Sequence, residues 1–470
     1  MSDESFINVG NVWATINGPL RAKVAQMLTY RKPGFQFTTA YKQGRWDGWI
    51  HVVNMSTGRF PAGLVPHVVA KLGAEGTRLP IADVRDTLDH DYLVDPSKIT
   101  TNVELLPYQA EAIEKALKAE RGVIHHPVGS GKTVVLIELV RRVGYKALVL
   151  VHRKDLLHQT YRRFKETWPG ANGIIGMCGD GRWAPHAVTV ATFQTIYRKL
   201  HDYPKEVEPW LQEIGQVHVD EVQHLPADTF GKVMARIPNA RHRFGYSATP
   251  FKSEGDNEAY IRVVGWTGPV IHALPPKEGV EFGRLVPADI FLLPAGGPPP
   301  DDDNWPSAYA SGITYNEVRN MTIVRLAHVL QKVGPTLILV ERLAHGKILS
   351  EALRCPFLSG QDASDLRNKT WEAMRQDKLP CLVASRIADE GLDIPNIRHL
   401  FIAGGGKAGH LLIQRVGRGM RRIPGKDRLT VIDFMDAGKY VGRHSLARRR
   451  TYQKGEAYSV IQTTVEEIFS

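Results

Sequence analysis

Cysteine is scarce in this chain of 470 residues: three, Cys178, Cys355 and Cys381, stand far apart. That spacing writes neither a disulfide framework nor a CxxC zinc site, and it fits a reducing compartment. Long apolar runs are missing too. None approaches the ~18 residues that span a bilayer, and the opening MSDESFINVG has no basic stretch leading into an apolar core. A soluble, unexported, cytoplasmic protein is therefore expected. Acid is locally absent: between Arg21 and Arg59 seven Lys/Arg meet one acid, Asp47 (seven minus one, +6). Over the whole chain 60 Lys+Arg against 49 Asp+Glu leave a net charge of +11. Such an excess favours a polyanionic partner, nucleic acid first, and gives no reason to expect a membrane.

What is present divides into three stretches. Residues 1–100 are rich in aromatics and turns, and read as a small N-terminal α+β recognition domain. Within them RWDGWI (45–50) sets Trp46 and Trp49 around Asp47-Gly48, a preferred pair for a two-residue hairpin turn, so the two tryptophans are expected opposite one another across strands. From 101 to 283 short apolar runs alternate with helical patterns: GVIHH (122–126), KALVLVH (146–152), AVTVATF (187–193) and QVHVD (216–220). The pattern resumes over 284–470 with PTLILVE (335–341), PCLVAS (380–385), RHLFIAG (398–404) and RLTVIDF (428–434). Strands alternating with helices predict an α/β fold, here two tandem domains with parallel sheets. Within the second domain, AGGPPPDDDNWP (295–306) reads as an exposed loop inside or near an interdomain hinge.

HHPVGSGKT (125–133) follows an apolar strand and precedes VVLIELVRRV, whose apolar positions share one helical face. Strand, glycine loop and helix form the setting of a phosphate-binding loop. Gly129, Ser130 and Gly131 let the backbone close on phosphate oxygens, Lys132 brings a charge to the β/γ-phosphates, and Thr133 can ligate Mg²⁺. The usual pattern wants a small residue where His126 stands. Asp220 and Glu221 end the QVHVD strand, where open α/β sheets bind ligands. Asp220 suits Mg²⁺ held through water, and Glu221 the activation of an attacking water. In QRVGRGMRR (414–422), Arg418 and Arg421 are three apart, so both are expected on one helical face, reaching an anion together.

In this order the motifs resemble one family, the superfamily-two helicases and translocases, over residues ~104–435. The resemblance implies two RecA-like P-loop domains with the ATP site between them. It implies Gln109, in LLPYQAEAI, as the adenine contact. LVLVHRKDLLHQ (148–159) and TVATFQT (189–195) look like backbone-gripping segments, with Arg153 and Thr192 at the strand. GYSATP resembles the coupling motif, with Ser247 and Thr249. LVASRIADEGLDIP (382–395) would put Ser385 on nucleic acid and Gly391 and Asp393 on the nucleotide, and QRVGRGMRR would place Gln414, Arg418 and Arg421 at the γ-phosphate. Where related enzymes read DExH, this chain reads DEVQ followed by His224, so the link from ATP to the coupling motif is expected through Gln223.

The N-terminal stretch looks like that of phage branched-DNA helicases. It implies a motor, phage or prophage encoded, acting on forks, junctions and R-loops. From the residues themselves, Arg31, Lys32, Lys42, Arg45 and Arg59 are candidates for phosphate contact, and the paired tryptophans fit a hydrophobic clamp, the commoner use, or a platform for bases. An RNA helicase, a duplex translocase without strand separation, and an annealing module without turnover remain alternatives. Residues 439–454 hold six Lys/Arg and no acid, which fits either a phosphate-tracking helix or one packed on the second domain.

Overall fold

The computed structural model describes residues 4–85, 99–171, 173–224, 227–251, 257–301, 303–385, 394–406 and 409–468. The chain forms two compact units, one of Met1–His126 and Gly131–Ala273, the other of Pro127–Ser130 and Leu274–Ser470.

The first unit is built on an eight-stranded sheet. Its order is Arg182–Ala184, Ile175–Gly179, Val188–Thr192, Ala147–Val151, Gln216–Asp220, His242–Ser247, Arg121–His125 and Val270–Ala273. All neighbours are parallel except the first pair. Parallel strands need helical crossovers, which bury both faces, and the central strands are accordingly apolar throughout: every residue of Ala147–Val151 and Val188–Thr192 is buried. The four strand runs read from the sequence are all present. His242–Ser247 and Ile175–Gly179 are strands the alternation did not reveal.

Residues 4–85 belong to this same unit. Their four-stranded sheet (Arg59–Pro61, Trp13–Asn17, Phe6–Val9, Ile81–Asp83) closes a core that includes Ile261 and Val264 of the helix Asn257–Thr267. The packing is close enough that a methyl group on Gly63 would run into the carbonyl oxygen of Val264. Trp13 meets Trp266 edge-on at 5.3 Å, and the Arg121 guanidinium donates to the Asn11 carbonyl at 2.9 Å.

The expected hairpin at Asp47-Gly48 is not there. Trp49 and Ile50 pair antiparallel with Arg31 and Tyr30, so the cross-strand neighbour of Trp49 is Arg31 and not Trp46. Local chemistry explains the difference. Thr38 caps a helix over Thr39–Lys42, which leaves too short a run before Trp46 for a partner strand. The Asp47 carboxylate then accepts the N–H of Trp49 at 3.0 Å, the local turn that Asp favours.

The second unit carries seven parallel strands in the order Phe357–Leu358, Cys381–Ala384, Thr336–Leu339, His399–Ile402, Leu429–Met435, Ala288–Pro294 and Tyr458–Gln462. The Pro/Asp-rich loop ends where Asn304 caps a short helix, Trp305–Tyr309. The basic C-terminal segment is a helix, Val441–Gln453, packed on this sheet through Arg448. Arg448 is buried and donates to Asp433 and Asp436, while Tyr452 donates to Asp433 at 2.7 Å. For Arg448 the packed reading of this segment holds; Arg450 on the same helix is exposed.

Candidate active site

Three neighbouring parallel strands of the first unit deliver its chemistry to one sheet edge. Asp220 lies in register with Tyr246, and Ser247 with His125, so the phosphate-loop strand, the acidic pair and the SATP segment all leave at the same C-terminal edge. Gly129 and Gly131 have φ of 87° and 82°, a conformation that favours glycine. Gly131 caps the helix Lys132–Val143, and the N-terminal end of a helix favours an anion. A Cβ on Gly131 would stand 2.5 Å from the Gln109 amide nitrogen, which places the adenine-contact candidate against the loop. Gln109 is buried, and its side-chain oxygen accepts the Leu106 N–H at 3.0 Å. The ammonium of Lys132 donates to the His126 carbonyl at 3.1 Å, inside the loop's curve. Ser130 is buried with its hydroxyl on the Pro127 carbonyl, so its side chain shapes the loop.

His126, the bulky residue at the loop entrance, is fully buried. Its ring nitrogen lies 2.7 Å from that of His272 and its ring 5.6 Å from Tyr108. Burial, with His272 and Lys132 near, pushes its pKa down to about 2, so it remains a neutral packing group. The strand Val270–Ala273 supplies the imidazole partner that makes this bulk tolerable, which loop spacing alone does not reveal.

The acidic pair is held under strain. Glu221 has φ of 49°, in the left-handed region that costs a non-glycine residue about 1–3 kcal/mol and that clusters at functional sites. Its N–H donates to Asp220 at 3.0 Å. Burial and the neighbouring Glu221 push the Asp220 carboxyl up to about 7, against the opposing pull of Lys132. Two adjacent carboxylates with this deficit of positive charge are hard oxygen donors of the kind that suit a divalent cation.

A chain of hydrogen bonds runs from the acidic pair to the SATP segment. The Gln223 amide donates to Glu221 at 2.7 Å, the Ser247 hydroxyl donates to the Gln223 oxygen at 2.6 Å, and the Thr249 N–H donates to Ser247 at 2.8 Å. His224 stacks instead on His152, ring centroids 4.7 Å apart. The sequence reading passed over His152, although it sits directly before Arg153 at the end of a strand.

Other expected residues take plainer positions. Arg153 caps the helix Lys154–Thr167. Thr192 is buried with its hydroxyl 2.8 Å from that of Thr195. Ser385 is buried at the end of the strand Cys381–Ala384, its N–H on the Leu358 carbonyl. Gly391 and Asp393 lie outside the described residues. Of the N-terminal cations, Arg31, Lys42 and Arg45 are exposed and Lys32 is half-buried.

In the second unit one expectation is corrected. The helix Gly409–Gly419 carries Gln414 and Arg418, but Arg421 lies beyond its end, in an isolated antiparallel bridge with Leu285. The two arginines therefore do not share a helical face. Gly417 and Gly419 weaken the helix there, and the Val286 N–H takes the Met420 carbonyl at 2.7 Å, turning the chain into the bridge. Buried Lys426 secures the helix end by donating to the carbonyls of Gly419 and Pro395, the latter directly after the LVASRIADEGLDI segment.

Comparison with known proteins agrees with this arrangement. Residues 102–252 match the family described as "Type III restriction enzyme, res subunit", and residues 319–422 the "Helicase conserved C-terminal domain". The chain is 30% identical over 366 residues to Rad25 of Halobacterium salinarum, covering 75% of this chain and 57% of that protein. It thus spans a little over half of that relative's length. It is 23% identical over 457 residues to "ATP-dependent DNA helicase uvsW" of Enterobacteria phage T4, covering 88% of this chain and 86% of that protein. The fold is shared with Saccharomyces cerevisiae Dbp5 bound to RNA and ADP BeF3, at a TM-score of 0.53 and 15% identity, over 78% of this chain and 95% of that one. With both models matched in sequence order, each on its own largely parallel sheet, the chain carries the two domains of superfamily-two helicases.

Proposed function

We propose that this protein is an ATP-dependent DNA helicase or translocase that unwinds or branch-migrates branched DNA such as forks, junctions and R-loops. The observation that carries the motor reading is the Glu221–Gln223–Ser247–Thr249 chain of hydrogen bonds, which joins the water-activating carboxylate to the coupling segment. An ATPase without mechanical output has no use for that link. DNA as the substrate is supported by the basic balance of the chain and by what its relatives are named for: uvsW as an ATP-dependent DNA helicase, and XPB2 of Sulfurisphaera tokodaii as a "DNA 3'-5' translocase".

In this reading the backbone N–H groups after Gly129 and Gly131 bind the phosphates, Lys132 steadies the β/γ-oxygens, and Gln109 selects adenine. Glu221 orients and deprotonates the attacking water. Thr133 and Asp220 would hold Mg²⁺, which supplies charge neutralisation at the β- and γ-phosphates. Arg418 and Arg421 stabilise the charge that develops on the transferred phosphoryl group, with Gln414 beside them. A DNA strand would be held through Arg153, Thr192 and Ser385, and hydrolysis would move the protein along it. The test is ATP hydrolysis with and without DNA: stimulation in the wild type, lost in Glu221→Gln while DNA binding persists, supports the reading. A rate indifferent to DNA overturns it.

A further inference from the structure

The segment around Trp49 leaves two aromatic side chains in water without structural need. Phe35 is fully engaged: its ring blocks the space beside Gly48, meets Tyr41 edge-on at 4.7 Å, and lies 3.9 Å below the guanidinium carbon of Arg31. Phe37, two residues on in the same single turn, is 75% exposed. Trp49 is fixed through its backbone. It pairs with Arg31, its N–H goes to Asp47, and its carbonyl accepts the Trp46 indole N–H at 2.8 Å. Trp49 is 40% exposed, with the Arg31 guanidinium carbon 5.7 Å from its ring centroid. A rigid backbone thus presents free aromatic faces, and the cations at Lys42 and Arg45 are exposed nearby in the chain. This is the stretch in which seven Lys/Arg meet a single acid.

We propose that Trp49 and Phe37 are a stacking platform for unpaired bases of single-stranded DNA at a branch point, with Arg31 bracing the platform and Lys42 and Arg45 holding the adjoining phosphates. The proposal rests on the DNA reading above and refines it. Charge complementarity selects a polyanion, and exposed flat rings select one whose base faces are free. A duplex hides those faces, whereas a single strand offers one at every nucleotide. The platform therefore discriminates a fork with an unpaired arm from blunt duplex. Trp46, through its indole N–H, serves the platform by positioning and not by contact.

The test is binding of the full-length protein, without nucleotide, to a fork whose single-stranded arm carries 2-aminopurine at successive positions, to the same arm in RNA, and to blunt duplex. The expected result is a fluorescence change at one or two arm positions. Trp49→Ala and Phe37→Ala each abolish it and weaken fork binding about five-fold to a hundred-fold, the range of one lost base stack, with duplex affinity unchanged. Trp49→Phe restores part of the signal. Lys42→Ala with Arg45→Ala weakens fork and duplex alike and lowers the salt dependence. Phe37 is so exposed that its variant folds normally, and melting temperature checks this for both. Fork affinity and fluorescence unchanged in Phe37→Ala and Trp49→Ala, or equal losses on fork and duplex, overturn the platform; a stronger response on the RNA arm overturns the choice of DNA. Loss of DNA-stimulated hydrolysis in the wild type instead counts against the motor reading, which this nucleotide-free measurement does not involve.

Discussion

The hydroxyl of Ser247 donates to Gln223 across 2.6 Å, and the amide of the same glutamine donates to Glu221 across 2.7 Å. One buried side chain therefore bonds both the proposed catalytic carboxylate and the segment that resembles the coupling motif. Removing Gln223 leaves the half-buried Glu221 carboxylate without this bridge and the buried Ser247 hydroxyl without its acceptor, a cost of about 1–3 kcal/mol for the latter. Gln223→Ala and Ser247→Ala are expected to bring DNA-stimulated hydrolysis close to the basal rate while ATP still binds. Because both cut the same bridge, the double variant should be little worse than either single one. Steady-state hydrolysis with and without DNA measures this, and additive losses would contradict a shared bridge.

The proposed site residues separate by their effect on turnover. Glu221→Gln should lower kcat about 10²–10⁴-fold with little change in nucleotide affinity, the effect of losing a general base. Arg421→Ala should cost about 10³-fold or more in kcat if it stabilises the transferred phosphoryl group. Lys132→Ala should abolish turnover while leaving strand binding largely intact. Nucleotide binding followed by fluorescence, beside hydrolysis, distinguishes the three.

Arg448 is a structural cation. It sits buried between Asp433 and Asp436, so Arg448→Ala leaves Asp433 with the Tyr452 hydroxyl but without its buried cation, and Asp436 with Arg319 as its cation, and should cost about 3–5 kcal/mol of stability. Exposed Arg450, replaced by Ala, should change stability by less than about 0.5 kcal/mol. Denaturant unfolding of the two single variants decides it. A loss of DNA affinity in Arg448→Ala is expected only in step with unfolding.

Lys426 gives a pH signature. Burial, with Arg398 and Arg421 nearby, pushes its ammonium down to about 7 from the usual 10.5. Between those two values the unfolded chain binds the extra proton, so this group's contribution to stability rises with pH from about 7 and levels off above about 10.5. Lys426→Met removes the rise, so the stability gap between variant and wild type should narrow in the wild type's favour as pH increases. Urea midpoints at pH 6.5, 8 and 9.5 check it, and parallel profiles would show that Lys426 titrates normally.

The parallel-sheet architecture was legible because fully buried strands in such sheets read as uninterrupted apolar runs, as in ALVLV of KALVLVH. Loop chemistry was legible where backbone conformation demands a residue type, as at Gly129 and Gly131. The turn at Asp47-Gly48 was misread because a strong local turn signal needs two flanking strands, and Thr38 had already committed the preceding residues to a helix. Arg421 was misplaced for a related reason: periodicity carried the helix past Gly419, while tertiary pairing with Leu285 ended it. His126 looked like a defect from spacing alone, since its partner His272 lies 146 residues away. Long-range pairs of this kind leave no trace in a local pattern.

The most direct test of the account is the rate of ATP hydrolysis by the full-length protein on single-stranded DNA, blunt duplex, a fork, a four-way junction and an RNA–DNA hybrid. The account predicts stimulation by DNA that is strongest on branched substrates, weakens with salt, and vanishes in Glu221→Gln. Equal stimulation by linear duplex and branched DNA, or a preference for RNA, would contradict it.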